Sequence, residues 1–195
     1  MNRIILASKS PYRKQLLKRL GLDFDCIDSG LDESIIKAQI NDPIELTKAL
    51  SLEKARIIAK THPDALIIGS DQVCHINGEI LGKTGSLEGS MVQLMKLQGK
   101  KHELVTSYAI ISPNEEIINT NITTLHVRKL SEAQVKKYLS ADNPIDCAGS
   151  YKLELNGISL FNKIETEDQT AIIGLPLISL ANDLNRLGHI IPPEL

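Results

Sequence analysis

The chain has 195 residues, 42% of them hydrophobic and 24% charged, with a formal net charge of −2. That length suits one domain over residues 1–195, large enough to carry two lobes and to bury a core without disulfide support. The small net charge argues against a polyanionic partner, whether a nucleic acid polymer or an acidic membrane. Aromatic residues at 3%, with no tryptophan, argue against a stacking platform for single strands.

The three cysteines, Cys26, Cys74 and Cys147, are scattered and show no CxxC spacing, which disfavours zinc and favours a reducing compartment. The opening MNRIILASKSPYRK has too short an apolar run for a signal peptide. No segment is long and apolar enough to cross a bilayer, so a soluble cytoplasmic protein is expected.

Arg3 to Ala7 reads as a buried strand. Ser8-Lys9-Ser10-Pro11 stops it, with Ser10 as N-cap and Pro11 as the first residue of a helix that ends before Gly21. A strand feeding a helix N-terminus, with Lys9, Arg13 and Lys14 nearby, can hold an anion such as phosphate. A capped surface helix with scattered lysines has the same pattern. Asp23 to Ile27 alternates like a half-buried strand. The following Asp32-Glu33-Ser34 is an acidic loop, either solvated or able to hold a hard divalent cation through oxygen.

Asp42-Pro43-Ile44-Glu45 starts a helix that continues to about Lys60. Leu46, Ala49, Leu50 and Ile57 form its apolar face, and Lys54 lies outside that stripe as a solvated lysine. Ala65 to Ile68 is an apolar strand that runs out at Gly69. This places Ser70, Asp71 and Gln72 at its C-terminal end, where α/β proteins commonly put ligand chemistry. A hairpin turned at Asn77–Gly78 returns the chain to Gly82–Lys83. Cys74 reads as a packed hairpin residue rather than a nucleophile.

A helix within Gly85 to Gly99 has a core stripe of Leu87, Met91, Leu94 and Met95. Glu103 to Ser112 and Ile117 to Arg128 are two long strands joined at Pro113 to Glu116. Ser131 to Gln134 is a capping box opening a helix to Leu139, and Asn143-Pro144 breaks the chain. Cys147 to Lys152 leads into short strands turned at Asn156–Gly157. Gly174-Leu175-Pro176 opens a last helix that ends near Gly188. Strands outnumber those of a simple alternating pattern, so the fold expected is α/β with a mixed central sheet flanked by helices.

Three stretches together resemble the Maf family of nucleoside triphosphate pyrophosphatases. They are LASKSPYRKQLL (Leu6 to Leu17), GSDQV with its downstream LGK (Gly69 to Lys83), and CAGSYKLE running on to GLPL (Cys147 to Leu177). The DES at Asp32 to Ser34 and the EKA at Glu53 to Ala55 also fit. Thr84 departs from the pattern, since the family usually has proline after Gly-Lys.

The resemblance implies an elongated Maf/ITPase-like fold, with two lobes around a deep cleft and a mixed central sheet. It implies hydrolysis of a nucleoside triphosphate to the monophosphate and pyrophosphate, with a divalent metal, Mg2+ or Mn2+. Asp71 matches the family's proton acceptor. Ser8, Arg13, Glu33, Lys54 and Lys83 match positions around the triphosphate and metal: Ser8, Arg13, Lys54 and Lys83 toward phosphate, Glu33 and Asp71 toward metal. A carboxylate can deprotonate water or help bind the metal that activates it, and Arg and Lys can neutralise charge that develops as pyrophosphate leaves. Family members are often dimers, so a homodimer is the oligomer the resemblance suggests.

Family branches differ at three positions. The branch similar to dTTP and UTP pyrophosphatases has arginine after Ser-Pro, a small hydroxyl residue after the Asp, and glutamine in the late Tyr-Lys-x-Gln stretch. This sequence has Tyr12, Gln72 and Glu154, and so resembles the branch acting on 7-methyl-GTP, where the first position is usually Trp. Methylation at N7 leaves guanine cationic. An aromatic face at Tyr12 suits a cation, and a carboxylate at Glu154 can accept from N1–H and the exocyclic amine. The alternatives are a dTTP/UTP pyrophosphatase, or a nucleotide-binding regulator of cell division that acts without turnover.

Overall fold

A computed structural model describes residues 3–193. The strands are β1 (Ile4–Leu6), β2 (Asp25–Cys26), β3 (Leu66–Ile76), β4 (Glu79–Leu81), β5 (Lys101–Ile111), β6 (Glu116–Val127) and β7 (Phe161–Glu165). The helices are α1 (Pro11–Lys18), α2 (Ser34–Gln39), α3 (Pro43–Ala59), α4 (Leu87–Leu97), α5 (Glu132–Asp142), α6 (Thr170–Ile173) and α7 (Leu177–Arg186). The strands form one sheet in the order β2-β1-β3-β5-β6-β7, with β4 added to β3. β1 pairs parallel to β2 and β3, whereas β3–β4 and β6–β7 are antiparallel. The sheet is therefore mixed, and the fold is α/β as expected.

The chain forms two compact units. Among the described residues, the first comprises 3–71, Thr106–Asn121 and 168–193. The second comprises Gln72–Val105 and Ile122–Glu167.

Alternation along the strands organises the first unit, because successive side chains point to opposite faces. Ile4, Leu6, Leu66, Ile68, Tyr108 and Ile110 pack on one face with Leu16 and Leu17 of α1 and Leu177, Leu180 and Leu184 of α7. Ile5, Ala7, Ala65, Ile67 and Ala109 pack on the other with Ala55 and Ile58 of α3.

The second face decides what happens at Gly69. The strand does not run out there: β3 continues unbroken to Ile76, so Ser70, Asp71 and Gln72 lie mid-strand. Gly69 instead marks where α3 lies close on the sheet. A Cβ there would stand 2.1 Å from the Ser51 carbonyl oxygen and 2.9 Å from the Ala55 nitrogen. A glycine inside a strand can serve close backbone approach as readily as termination. The hairpin turn at Asn77–Gly78 forms as expected, with Ile76 opposite Glu79.

Helix starts follow the sequence closely. Ser10 accepts from the Arg13 N–H, Asp42 accepts from Ile44 and Glu45, and Ser131 with Gln134 completes a capping box. Three other expectations are corrected. β2 is only Asp25–Cys26, and both residues are exposed. The buried face of α4 is Ser90, Gln93, Leu94 and Leu97, while Leu87 is exposed and Met91 and Met95 are half-buried. The stretch after Cys147 forms two short 3-10 helices, Ala148–Ser150 and Asn156–Leu160, rather than strands.

Candidate functional site

The first unit gathers charged groups where the sheet meets α3. Asp71 shares strand parity with Ile67 and Gly69, so its side chain points to the α3 face. There it meets Lys54, whose Nζ donates to Asp71 Oδ1 at 2.6 Å. The same ammonium lies 2.6 Å from Glu33 Oε1.

Lys54 is 9% exposed, which corrects its reading as a solvated lysine outside the apolar stripe. It sits on a line of residues spaced by four, Leu46, Leu50, Lys54 and Ile58, all of them buried. That spacing puts them on one helix face. The interruption of an apolar series by one lysine was the available signal.

Glu33 is likewise not part of a loose loop. It is the N-cap residue of α2, and its Oε2 accepts from Lys37 at 2.6 Å. Burial works to raise the Glu33 carboxyl, but the Lys37 and Lys54 ammoniums outweigh it and bring it down to about 2.

Arg13 belongs to the same constellation. It is half-buried on the first turn of α1, and its Nε donates to the Gly174 carbonyl at 3.0 Å. Burial pulls its guanidinium below the ordinary arginine value, while Asp71 and Glu33 act in the opposite sense. Ser8 follows β1 and is buried, and its Oγ accepts from the Ser10 N–H at 3.1 Å. The Ala7 N–H donates to Ile68, so the turn leaves β1 beside the part of β3 that carries Ser70 and Asp71. Tyr12 is half-buried on the first turn of α1. Asp71, Lys54, Glu33 and Arg13 are thus brought together as two carboxylates and two cations, the first two buried and the other two half-buried.

The second unit holds Gln72, Lys83 and Glu154. Gln72 follows Asp71 and points to the opposite face of β3. Lys83 is exposed in the loop between β4 and α4. That loop is tied down on both sides of it. The Gly82 carbonyl accepts from Gln93 Nε2 at 3.0 Å, and Gln93 Oε1 accepts from Ser150 at 2.6 Å. Thr84 takes the place of the usual proline by bonding: its Oγ1 lies 2.7 Å from Ser90 Oγ and donates to the Ser86 carbonyl at 3.1 Å. Gln93 is buried on α4 but falls outside its apolar stripe, so the apolar pattern alone does not single it out.

Glu154 lies in an exposed turn. Tyr151 anchors the chain before it: this ring is buried, bonds His102 Nε2 at 2.8 Å, and meets Phe161 edge-on at 4.9 Å. The Lys152 N–H donates to Tyr138, and the Lys152 carbonyl accepts from both Leu155 and Gly157, which closes the turn. Cys74 is buried on β3, and burial pushes its thiol up to about 12, so it is no nucleophile.

Glu33 and Asp71 each offer an oxygen to one point, now held by the Lys54 ammonium. Among the described residues no group of three or more His, Cys, Asp or Glu side chains gathers to hold a metal ion. Two carboxylate oxygens are a donor set that would suit a hard divalent cation such as Mg2+. No helix of the described residues is long and apolar enough to cross a membrane.

Residues 3–187 match the family described as Maf-like protein. A protein of Xanthomonas axonopodis pv. citri (strain 306), named 7-methyl-GTP pyrophosphatase, is 41% identical over 98% of this chain and 100% of its own length. Proteins of the same name from Bdellovibrio bacteriovorus and Syntrophotalea carbinolica are 42% and 43% identical. They align with 93% and 96% of this chain and with 95% and 96% of their own lengths. The match runs through β1, α1, the Asp71–Lys54–Glu33 cluster and the turn that carries Glu154, and the chain belongs to the Maf family.

Proposed function

We propose that the protein is a nucleoside triphosphate pyrophosphatase that hydrolyses 7-methyl-GTP to 7-methyl-GMP and pyrophosphate. The observation that carries the reaction is the buried Asp71 carboxylate, held at 2.6 Å by Lys54 next to Glu33. Asp71 takes the proton of the attacking water as its oxygen bonds to the α-phosphorus. The bridging oxygen then leaves with pyrophosphate. Arg13 and Lys54, with Lys83 and the Ser8 hydroxyl, bind phosphate oxygens and offset the charge that grows on the leaving group.

Glu33 and Asp71 would hold a divalent metal, Mg2+ or Mn2+, which when bound polarises phosphate oxygens and lowers the pKa of water. Lys54, which bridges the two carboxylates, would then turn to the phosphate oxygens that this reading assigns to it.

The substrate assignment draws on the relatives' names and on three residues. Tyr12 offers an aromatic face to the cationic methylated base. Glu154 accepts from the two donors of the guanine edge and carries the charge that a cationic base favours. Gln72 completes the set that differs from the dTTP/UTP branch. The three free cysteines fit a reducing compartment, so this reading puts the enzyme in the cytoplasm.

The test is to incubate pure protein with Mg2+ or Mn2+ and a panel of 7-methyl-GTP, GTP, dTTP and UTP, and to measure pyrophosphate. Release is expected to be fastest from 7-methyl-GTP. A preference for dTTP or UTP would overturn the base assignment. Binding without release from any of the four would favour a regulator that acts without turnover.

A further inference from the structure

Asp71 has a neighbour whose chemistry is not used above. Ser70 is fully buried and, by strand parity, points to the sheet face opposite Asp71, the one that packs α1 and α7. Its Oγ lies 2.9 Å from the Ser107 carbonyl oxygen and 3.0 Å from the Gly174 carbonyl oxygen. The Gly174 carbonyl also accepts from Arg13 Nε at 3.0 Å. One backbone oxygen, between α6 and α7, therefore accepts from the arginine of α1 and shares with the Ser107 carbonyl the single proton of a strand hydroxyl.

The loop that presents this carbonyl is rigidly held. Asp168 is buried; its Oδ1 accepts from the Thr170 N–H at 2.8 Å and the Thr170 hydroxyl at 2.6 Å, and its Oδ2 accepts from the Ile178 N–H at 2.7 Å. Thr170 Oγ1 accepts from the Leu177 N–H at 2.8 Å, and Thr106 donates to the Ala171 carbonyl at 2.9 Å. Gly174 itself has φ +124°, a conformation that L side chains rarely adopt. The carbonyl direction is thus fixed by a backbone shape that glycine permits and by a buried network around it.

We propose that Ser70 and Gly174 are positioning residues for Arg13: the Ser70 hydroxyl fixes the Gly174 carbonyl, and that carbonyl fixes the guanidinium through Nε. A guanidinium has five N–H donors. With Nε taken by the carbonyl, phosphate contacts fall to the two terminal nitrogens. Arg13 keeps one orientation, and the rotamer freedom of a long side chain is already lost before ligand arrives. This explains why a serine precedes the catalytic carboxylate on a strand whose neighbours at the same parity, Leu66 and Ile68, are apolar. The inference rests on the reading of Arg13 as a phosphate ligand.

The test is a double-mutant cycle read by equilibrium binding of a 7-methyl-GTP analogue with a methylene group in place of the α,β-bridging oxygen. Ser70→Ala is expected to weaken binding about fivefold, the scale of one lost hydrogen bond. In an Arg13→Met background the same change should weaken it no further, because the group it positions is gone. Ser70→Cys keeps a donor, weaker and on a somewhat larger atom, and should give a smaller loss with the same coupling. It carries the cycle if the alanine variant fails to fold. Equal weakening in both backgrounds, or no weakening from either Ser70 variant, overturns the proposal. A wild-type chain that binds the analogue yet releases no pyrophosphate from 7-methyl-GTP overturns the reaction assigned above, while the cycle still decides whether Ser70 acts through Arg13.

Discussion

The charged residues of the candidate site live under different conditions in the two units. In the first, Lys54 and Asp71 are buried and hydrogen-bonded to each other, and Glu33 is shared between two lysines. In the second, Lys83 and Glu154 are exposed, carried by a loop and a turn whose backbones are fastened from below by Gln93, Thr84 and the Lys152 carbonyl. The difference separates two tasks. Buried pairing fixes geometry at the cost of coupling function to stability. A fastened turn leaves its side chain free to be exchanged without disturbing the core. On the reading proposed above, the carboxylate that activates water sits in the first kind of place, and the second presents Glu154 to the base and Lys83 to the phosphates.

The largest effect expected is at Lys54. Lys54→Met leaves two carboxylates facing each other with their common cation gone. Breaking a buried ion pair by removing one partner costs about 3 kcal/mol or more, and denaturant unfolding should record a loss of that order together with lost turnover. A loss well under 1 kcal/mol would be that of a surface pair, and would erase the contrast between the units.

The acid response of Glu33 sharpens the same point. Its carboxyl titrates at about 2 in the folded chain against an ordinary 4.5. A folded-state value below the unfolded one means a contribution fully present above pH 4.5 and lost as pH falls through 2. Glu33→Gln should therefore lose less stability than wild type between pH 5 and pH 3, measured by denaturant unfolding at each. Equal losses would mean that the two lysines do not hold the carboxylate.

Smallest is the effect of Thr84→Ala. It removes hydrogen bonds in a partly exposed loop, so about 0.5–1 kcal/mol is expected, with nucleotide binding weakened about twofold through Lys83. A tenfold loss would make Thr84 itself part of the binding site.

What could be read from the sequence was what local rules govern. Asp42-Pro43, the Ser131–Gln134 box and the Asn77–Gly78 turn each specify their backbone within four residues, and the structure has all three. What escaped depended on tertiary packing. Gly69 looks like a strand end until α3 is laid on it, because nothing local separates a terminating glycine from one that admits a helix. Lys54 looks solvated until its apolar line meets Asp71. Gln93 and Ser90 fall outside the apolar stripe read for α4, yet they face inward to bond Gly82, Ser150 and Thr84. The turn that bears Glu154 reads as strand because Lys152–Leu155 alternates, and only the Lys152 carbonyl bonds reveal it as a closed loop. In each case the missing information is a partner far away in sequence, which a binary pattern of apolar and polar residues cannot see.

The division of tasks is tested most directly by the rates of pyrophosphate release from 7-methyl-GTP and from GTP, measured side by side for Asp71→Asn and Glu154→Gln. The account predicts that Asp71→Asn loses on the order of a hundredfold or more on both nucleotides, as removal of a general base does. It predicts that Glu154→Gln keeps its rate on GTP and its folding, while its preference for the methylated base shrinks. An Asp71→Asn protein that still turns over at the wild-type rate, or a Glu154→Gln protein with an unchanged ranking of the two nucleotides, would contradict it.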